Sequence, residues 1–508
     1  MEWQRRLRAV ARRYFLARLE RSLAHVFAFI RCDASSNIFD GFGSVAARCS
    51  KQLEIGDIGG FLDMNLKYSQ FNLVDEIKAG IYSIYNTKSR FHLILNLTQY
   101  SSHATLLNQS ESIKQLPEAM VKKLRDKGFI VQADIDEVSD LKWQSFVSRF
   151  EEDHGLVLTI LPTLECNFKC AYCFEDILQH KNTRVMIEET QENIVHFVER
   201  KLSQGIRGAL YVKWFGGEPL LALDTMLSMT KKLKAVASRF NNRYISAMLT
   251  NGYLLDQVSK QQIDALSIFA IQVTLDGPEA EHNKRRPHRG GGNSFKRIIE
   301  NLKHLVTIVE RSYIRINTDK TNAASIPVLL KYLNEQGLLA RCKYDIGYID
   351  TETGAYTFGQ TCSALLNEAD IRSIYASISK GLCELNLENI EPAEYPKLLK
   401  FACDAQIKEA FIIDPSGNVY KCLNDATIPA RAMFNLNSGA EIDRKREEKF
   451  LNIDPYQIKA CQLCSYLPIC HGGCPAKLID LGEEQGNCWP NHYVFRDKLI
   501  KYAKRKFG

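Results

Sequence analysis

The chain has 508 residues, 45% hydrophobic and 25% charged, enough to bury the cores of two or three domains. No apolar run approaches the ~18–20 residues that span a bilayer, and fifteen cysteines in so long a chain point to metal or redox use rather than a disulfide scaffold. The formal charge of +7 sits almost wholly in residues 1–31, where eight Arg face two Glu; the remainder carries +1 and gives no reason to expect nucleic-acid or membrane partners.

Residues 1–63 are Arg-rich at first and then Gly- and Ser-containing without periodicity. Two readings stand: an organellar transit segment, or an extension upstream of a native start at Met64. From 64 to 152 the runs Phe71–Val74, Gly80–Tyr85 and Phe91–Leu95 read as short strands. Two helical stretches follow, ending with Pro117–Gly128, and then a closing strand at Phe129–Val131. This order resembles the winged-helix domain that holds leader peptides in peptide-maturation systems, where an extended leader adds to a sheet edge. A structural cap on the main domain is the alternative.

From 153 to 350 strands and amphipathic helices alternate. Leu156–Leu161, Ala209–Phe215, Tyr244–Leu249, Ile268–Thr274, Ile314–Asn317 and Tyr344–Tyr348 are strand-sized apolar runs. Between them Phe295, Ile298, Ile299, Leu302 and Leu305 recur with helical period. Repeated strand–helix units demand crossovers and hence a parallel sheet. Six units are too few for a closed barrel, so the expected class is α/β, a partial (β/α)6 TIM-type barrel with its chemistry at the C-terminal strand ends.

Cys166, Cys170 and Cys173 follow the first of these strands. A [4Fe–4S] cluster normally takes four cysteines, so a compact triad leaves one iron to bind and activate a small molecule. The spacing by itself does not exclude a zinc site completed by a distant ligand. After the second strand comes Trp214-Phe215-Gly216-Gly217-Glu218-Pro219, whose glycines let a ligand approach and whose carbonyls can accept from an ammonium group. Thr250-Asn251-Gly252 follows the third strand, and Val273-Thr274-Leu275-Asp276-Gly277-Pro278 closes the fourth, before His282-Asn283-Lys284-Arg285-Arg286.

Each motif alone is turn chemistry. In this order the set resembles the radical S-adenosylmethionine superfamily. The resemblance implies a catalytic cluster on Cys166, Cys170 and Cys173, its open iron chelated by the amino and carboxylate groups of S-adenosylmethionine. It further implies that Gly216, Gly217 and Glu218, in the turn ending at Pro219, meet the methionine ammonium. Tyr172 would lie by the adenine, Thr274 and Asp276 near the ribose, and Arg285 or Arg286 on the carboxylate. Thr250 and Asn251 complete the cofactor-binding set.

Cys403, Cys422, Cys461, Cys464, Cys470, Cys474 and Cys488 follow in the C-terminal third, with Gly417 ahead of Cys422. They resemble the SPASM extension of radical enzymes that modify peptides and proteins. That implies one auxiliary [4Fe–4S] cluster on Cys461, Cys464, Cys470 and Cys488 and another on Cys403, Cys422 and Cys474, hence three clusters in all. The Cys461–Cys474 block alone could pass for a zinc knuckle. Some relatives place an eighth cysteine where this chain has Gln406-Ile407-Lys408, which implies an open auxiliary iron or another ligand. Anaerobic sulfatase maturases carry an Asp, a candidate base, where Leu423 stands, with Asp425 nearby. Cys32, Cys49, Cys342, Cys362 and Cys383 read as ordinary buried thiols.

The expected domains are leader recognition over 64–152, the radical core over 153–350, a helical bridge over 351–402 and the SPASM domain over 403–508. The expected enzyme takes an electron from a flavodoxin- or ferredoxin-type donor, cleaves S-adenosylmethionine and abstracts hydrogen from a ribosomally synthesised precursor peptide. A thioether or carbon–carbon cross-link results. The alternatives are maturation of a whole protein (a sulfatase or quinoprotein subunit) and a non-catalytic zinc-stapled binding module. Three clusters imply a reducing, cytoplasmic setting.

Overall fold

The computed structural model describes residues 65–96, 110–170, 172–173, 185–349, 366–387, 400–426, 428–481, 488 and 490–507. The expectations for residues 1–63 and for Cys362 lie outside the described residues.

The first described strands are short: β1 (Leu66–Tyr68), β2 (Asn72–Lys78), β3 (Ile81–Asn86), β4 (His92–Asn96) and β5 (Ile130–Gln132). β2, β3 and β4 form an antiparallel sheet. β5 does not join it; it pairs antiparallel with β1, a three-residue strand too short to show alternation in the sequence. Helix α1 (Glu118–Asp126) ends ahead of Gly128, whose φ of +75° suits a residue without a Cβ. Helix α2 (Glu137–Phe146) starts at Asp136, whose carboxylate accepts from the Val138 and Ser139 N–H groups. Leu73 and Tyr85 of the sheet pack on Phe495 and Leu499 of the C-terminal helix Pro490–Phe507.

The middle of the chain is the expected alternation. β6 (Leu156–Ile160), β7 (Ala209–Trp214), β8 (Arg243–Thr250), β9 (Ile268–Thr274), β10 (Arg311–Thr318) and β11 (Cys342–Tyr348) pair in parallel, each with the next. The crossovers contain α3 (Glu188–Ser203), α4 (Leu223–Arg239), α5 (Lys260–Leu266), α6 (Glu279–Arg285), α7 (Ser294–Ile308) and α8 (Ile326–Glu335). Strand side chains alternate between two faces. Leu156, Leu158, Ile160, Val212, Trp214 and Ile314 pack against helical residues such as Ile194, Leu233 and Leu302. Val157, Tyr211, Ala247, Ala270 and Tyr313 pack on the other face, with Phe401 and Ile407.

The sheet does not stop at β6. β12 (Ala410–Ile413) pairs with it in parallel, and β13 (Asn418–Tyr420) and β14 (Phe434–Asn435) extend it antiparallel, giving nine strands in the order β11-β10-β9-β8-β7-β6-β12-β13-β14. The run Ala-Phe-Ile-Ile is only four residues and shows no period, so the sequence does not announce it as a strand. Its pairing ties the chain after Cys403 to the core. Helix α9 (Glu368–Glu384) buries Ile371, Ile374, Ile378 and Leu382. Cys342 is buried, but Cys383 is exposed because it falls off that stripe, which corrects its expected burial.

Leu158 is fully buried on the central strand β6 between β7 and β12. Leu158→Ala should cost about 2–5 kcal/mol of stability, measured by denaturant unfolding.

Candidate active site

The loop from 161 to 173 leaves the C-terminal end of β6 and is fastened on one side to the segment after α6. The Lys169 N–H donates to the Pro287 carbonyl at 2.9 Å and the Arg289 N–H to the Asn167 carbonyl at 2.8 Å. Arg289 Nε donates to the Cys166 carbonyl at 3.0 Å. Cys166, Cys170 and Cys173 are thereby held half-buried, with the Phe168 N–H directed at Cys166 Sγ at 3.4 Å. Burial pushes the Cys166 thiol up to about 12. Such a thiol stays protonated and inert unless a metal supplies the compensating charge. Cys166 and Cys170 lie near the buried Arg286 guanidinium, and with Cys173 they are the type of donor an iron–sulfur cluster takes.

The glycine turn fastens the other side. A Cβ on Gly216 would lie 2.3 Å from the Thr163 carbonyl oxygen, and one on Gly217 would lie 2.2 Å from that of Glu165. The Gly217 N–H donates to Thr163 O at 3.2 Å and the Glu218 N–H to Glu165 O at 2.8 Å. What these glycines admit so closely is the backbone of the cysteine loop itself, where the sequence suggested a ligand. Glu218 is fully buried, and its carboxylate accepts from Thr250 Oγ1 at 2.6 Å, the Asn251 N–H at 2.8 Å and the Leu220 N–H at 3.2 Å. Asn251 Nδ2 in turn donates to Asn167 Oδ1 at 2.7 Å. Thr250 and Asn251 are thus joined to the cysteine loop through one carboxylate, and Pro219 begins the 3-10 turn after it.

Asp276 is fully buried at the end of β9. It accepts from the Tyr172 hydroxyl and, at 3.1 Å, from the Asn317 N–H. Burial pushes its carboxyl up and the Arg286 guanidinium, 3.8 Å away, pulls it back. Arg286 Nη1 donates to the Tyr172 hydroxyl, which also accepts from Asn317 Nδ2 at 3.2 Å. Arg285 points elsewhere, to Asp319 at 2.9 Å and Thr321 at 2.7 Å, with its guanidinium 5.4 Å from the Tyr172 ring centre. Thr274 is half-buried at the last position of β9. Asn167, Phe168, Arg289, Asn317 and Asn322 were not singled out from the sequence. Asn317 could have been, since it stands one residue before the end of β10; the others follow no pattern.

Five buried donor or acceptor atoms around this loop have no partner: Arg285 Nε and Nη2, Arg286 Nε, Asn167 Nδ2 and His282 Nε2. Burial holds His282 neutral, its pKa pushed down to about 3. Buried donors without acceptors are costly unless a ligand supplies oxygen. A carboxylate- and hydroxyl-bearing ligand such as S-adenosylmethionine fits that need.

The C-terminal cysteines gather in two places. Cys403, Cys422 and Cys474 pack together around Ala405, Phe450 and Ala476. Cys461 lies near Cys464 and Cys488, and Tyr493 near both Cys488 and Cys470. Among the described residues no three such side chains converge on one point as ligands of a single ion would. Cubane thiolates bind separate irons and need not converge so closely. Cys403 and Cys422 also line a cavity together with Thr159, Lys213 and Leu249 of the parallel strands and Phe215 just after β7. There Lys213 Nζ pairs with Asp404 at 2.5 Å, both groups buried. Asp425 does not face this cavity's lining; Arg446 grips it at 2.6 and 2.7 Å and Arg431 at 3.0 Å. Tyr420 donates to Asp414 at 2.9 Å, and Gln406 Oε1 accepts from the Ala402 N–H at 2.9 Å. Each of these three side chains is thus engaged by groups of the protein itself.

Two substitutions test this arrangement. Gly217→Ala should displace the cysteine loop and lower iron bound on anaerobic reconstitution by one cluster's worth, with the far-UV circular dichroism unchanged. Glu218→Gln sets an amide N–H against a backbone or hydroxyl donor and should cost about 1–3 kcal/mol, read as a lower unfolding midpoint.

Residues 160–323 match the family model of the Radical SAM superfamily. The chain is 23% identical over 256 residues to the radical SAM cyclopropyl synthase TigE of Paramaledivibacter caminithermalis, across 48% of this chain and 51%, about half, of that enzyme. It is 24% identical over 360 residues to the cysteine-type anaerobic sulfatase-maturating enzyme of Clostridium perfringens, across 63% of this chain and 88% of that one. The structure of native anSMEcpe with bound AdoMet superposes with a TM-score of 0.50 at 20% identity, over 69% of this chain and 97% of that chain, a likeness of fold. Residues 160–323 thus carry a Radical SAM domain, with a cysteine triad after β6, a glycine turn after β7 and a buried aspartate after β9 of a parallel sheet, in a chain similar to radical SAM maturases.

Proposed function

We propose that the chain matures a ribosomally made peptide by forming a thioether or carbon–carbon cross-link. The observation that carries this reading is the shared cavity: Cys403 and Cys422 face Thr159, Lys213 and Leu249 across one space. A substrate residue seated there would meet the barrel on one side and an auxiliary cluster on the other. Cys166, Cys170 and Cys173 would hold the catalytic cubane; Cys461, Cys464, Cys470 and Cys488 one auxiliary cluster; and Cys403, Cys422 and Cys474 the second. With S-adenosylmethionine and one electron from a flavodoxin- or ferredoxin-type donor, the first cluster supplies hydrogen abstraction from carbon.

The chain's own part is to bind, orient and keep dry. Arg285, Arg286 and Asn167 present donors for the cofactor's oxygens, and Glu218 holds the Thr250–Asn251 turn beside them. Apolar Val157, Phe215, Leu249 and Phe411 exclude water from the substrate cavity. The sheet β2-β3-β4 has two edge strands, which suits addition of an extended leader segment. No described helix is long and apolar enough to cross a membrane.

A second reading is favoured by the longer match to the sulfatase-maturating enzyme: oxidation of one residue within a whole protein. Against it, Asp425 is engaged by Arg446 and Arg431. The anaerobically reconstituted protein should contain iron and sulfide for three cubanes and release 5′-deoxyadenosine on reduction. Cys166→Ala should abolish that release; continued release would refute the assignment. Stoichiometric zinc with little iron would favour a zinc-stapled binding module. Co-expression with a neighbouring short cysteine-rich peptide should yield a product lighter by two hydrogens per cross-link, whereas an unchanged peptide and a modified sulfatase would favour the second reading.

A further inference from the structure

Arg286 is buried in the wall of the candidate site, with two groups of the cysteine loop against it. Its guanidinium stands 5.8 Å from the ring centre of Phe168 and donates to the hydroxyl of Tyr172, so it sits against two residues lying between Cys166 and Cys173. Only 7% of Arg286 is exposed, and its Nε has no partner. The nearest carboxylate, Asp276, is 3.8 Å away, with the Tyr172 hydroxyl bonded to both groups. Arg285, by contrast, is paired with Asp319 at 2.9 Å. A guanidinium does not lose its proton in a protein, so this charge is permanent. Its compensation is incomplete, and in a water-excluded site its field is weakly screened. The thiols of Cys166 and Cys170 both feel it.

A cluster gains one negative charge on reduction, and its potential depends on nearby charge, hydrogen bonds and exposure. We infer that Arg286 is a positioning residue with a redox role: held against the cysteine loop by Tyr172 and Phe168, it raises the reduction potential of the cluster on Cys166, Cys170 and Cys173. Asp276 opposes it, so the pair sets the potential between two limits. Nothing is consumed beyond the one electron that the external donor delivers to the cluster. The inference rests on the reading of the triad as a cluster site.

The test is an EPR-monitored redox titration of the reconstituted full-length protein. The catalytic cluster is identified as the signal that Cys166→Ala removes, and the titration is run without S-adenosylmethionine. Arg286→Gln should lower the ratio of reduced to oxidised cluster at fixed ambient potential about tenfold, a shift of about 59 mV for one electron. Arg286→Lys, which keeps the charge, should stay near the wild type. Should Arg286→Gln not load iron, Asp276→Asn reads the same field with opposite sign and should raise the potential. An unshifted Arg286→Gln, equal shifts in the Gln and Lys variants, or an unshifted or lowered Asp276→Asn overturns the redox role while leaving the cluster assignment intact. A wild-type protein without a cubane signal overturns the cluster assignment and the inference together.

Discussion

The carbonyl oxygens of Thr163 and Glu165 occupy the space where side chains on Gly216 and Gly217 would begin. That contact is the constraint on which the active site depends. It presses the cysteine loop against the end of β7, and two N–H groups of the turn bond it there. Glu218 then follows by necessity into the interior, where a bare carboxylate could survive only with donors around it. Thr250, Asn251 and Leu220 supply them, so the Glu218 side chain joins the ends of β7 and β8, while the Glu218 N–H and the Asn251 amide bond the loop.

The opposite wall is built from charge rather than from backbone proximity. Tyr172 reaches across from the cysteine loop into a set formed by Asp276, Arg286 and Asn317, drawn from the ends of β9 and β10 and from α6's C-terminal boundary. Taking these groups out of water is expensive, and hydrogen bonding among them offsets part of that cost. The remaining orphan donors on Arg285, Arg286 and Asn167 mark where the protein alone does not complete the network.

The C-terminal third reaches the parallel sheet through β12. Its parallel pairing with β6 puts Cys403, just before it, and Cys422, just after β13, against the neighbouring parallel strands. The buried pair Lys213–Asp404 adds a second tie between β7 and the Cys403 turn. Such a pair is worth little as net stability but is costly to break, so it defines a register rather than a strength.

The residue order alone specified the parallel sheet, the cysteine triad after its first strand and the order of the motifs at later strand ends. Hydrophobic period and cysteine spacing are local properties, and they survive in a single string of residues. It also separated the seven C-terminal cysteines into sets that the fold brings near one another, although through family likeness and not through geometry. The folded arrangement was needed to show what the glycines of the turn admit, that Glu218 bonds Thr250 and Asn251, and that Asp425 is gripped by Arg446 and Arg431. It alone revealed β12, four residues with no period, and the place of Arg286 inside the cysteine loop. Each of these depends on which groups meet across long sequence separations in a space without water, and no local pattern encodes that meeting.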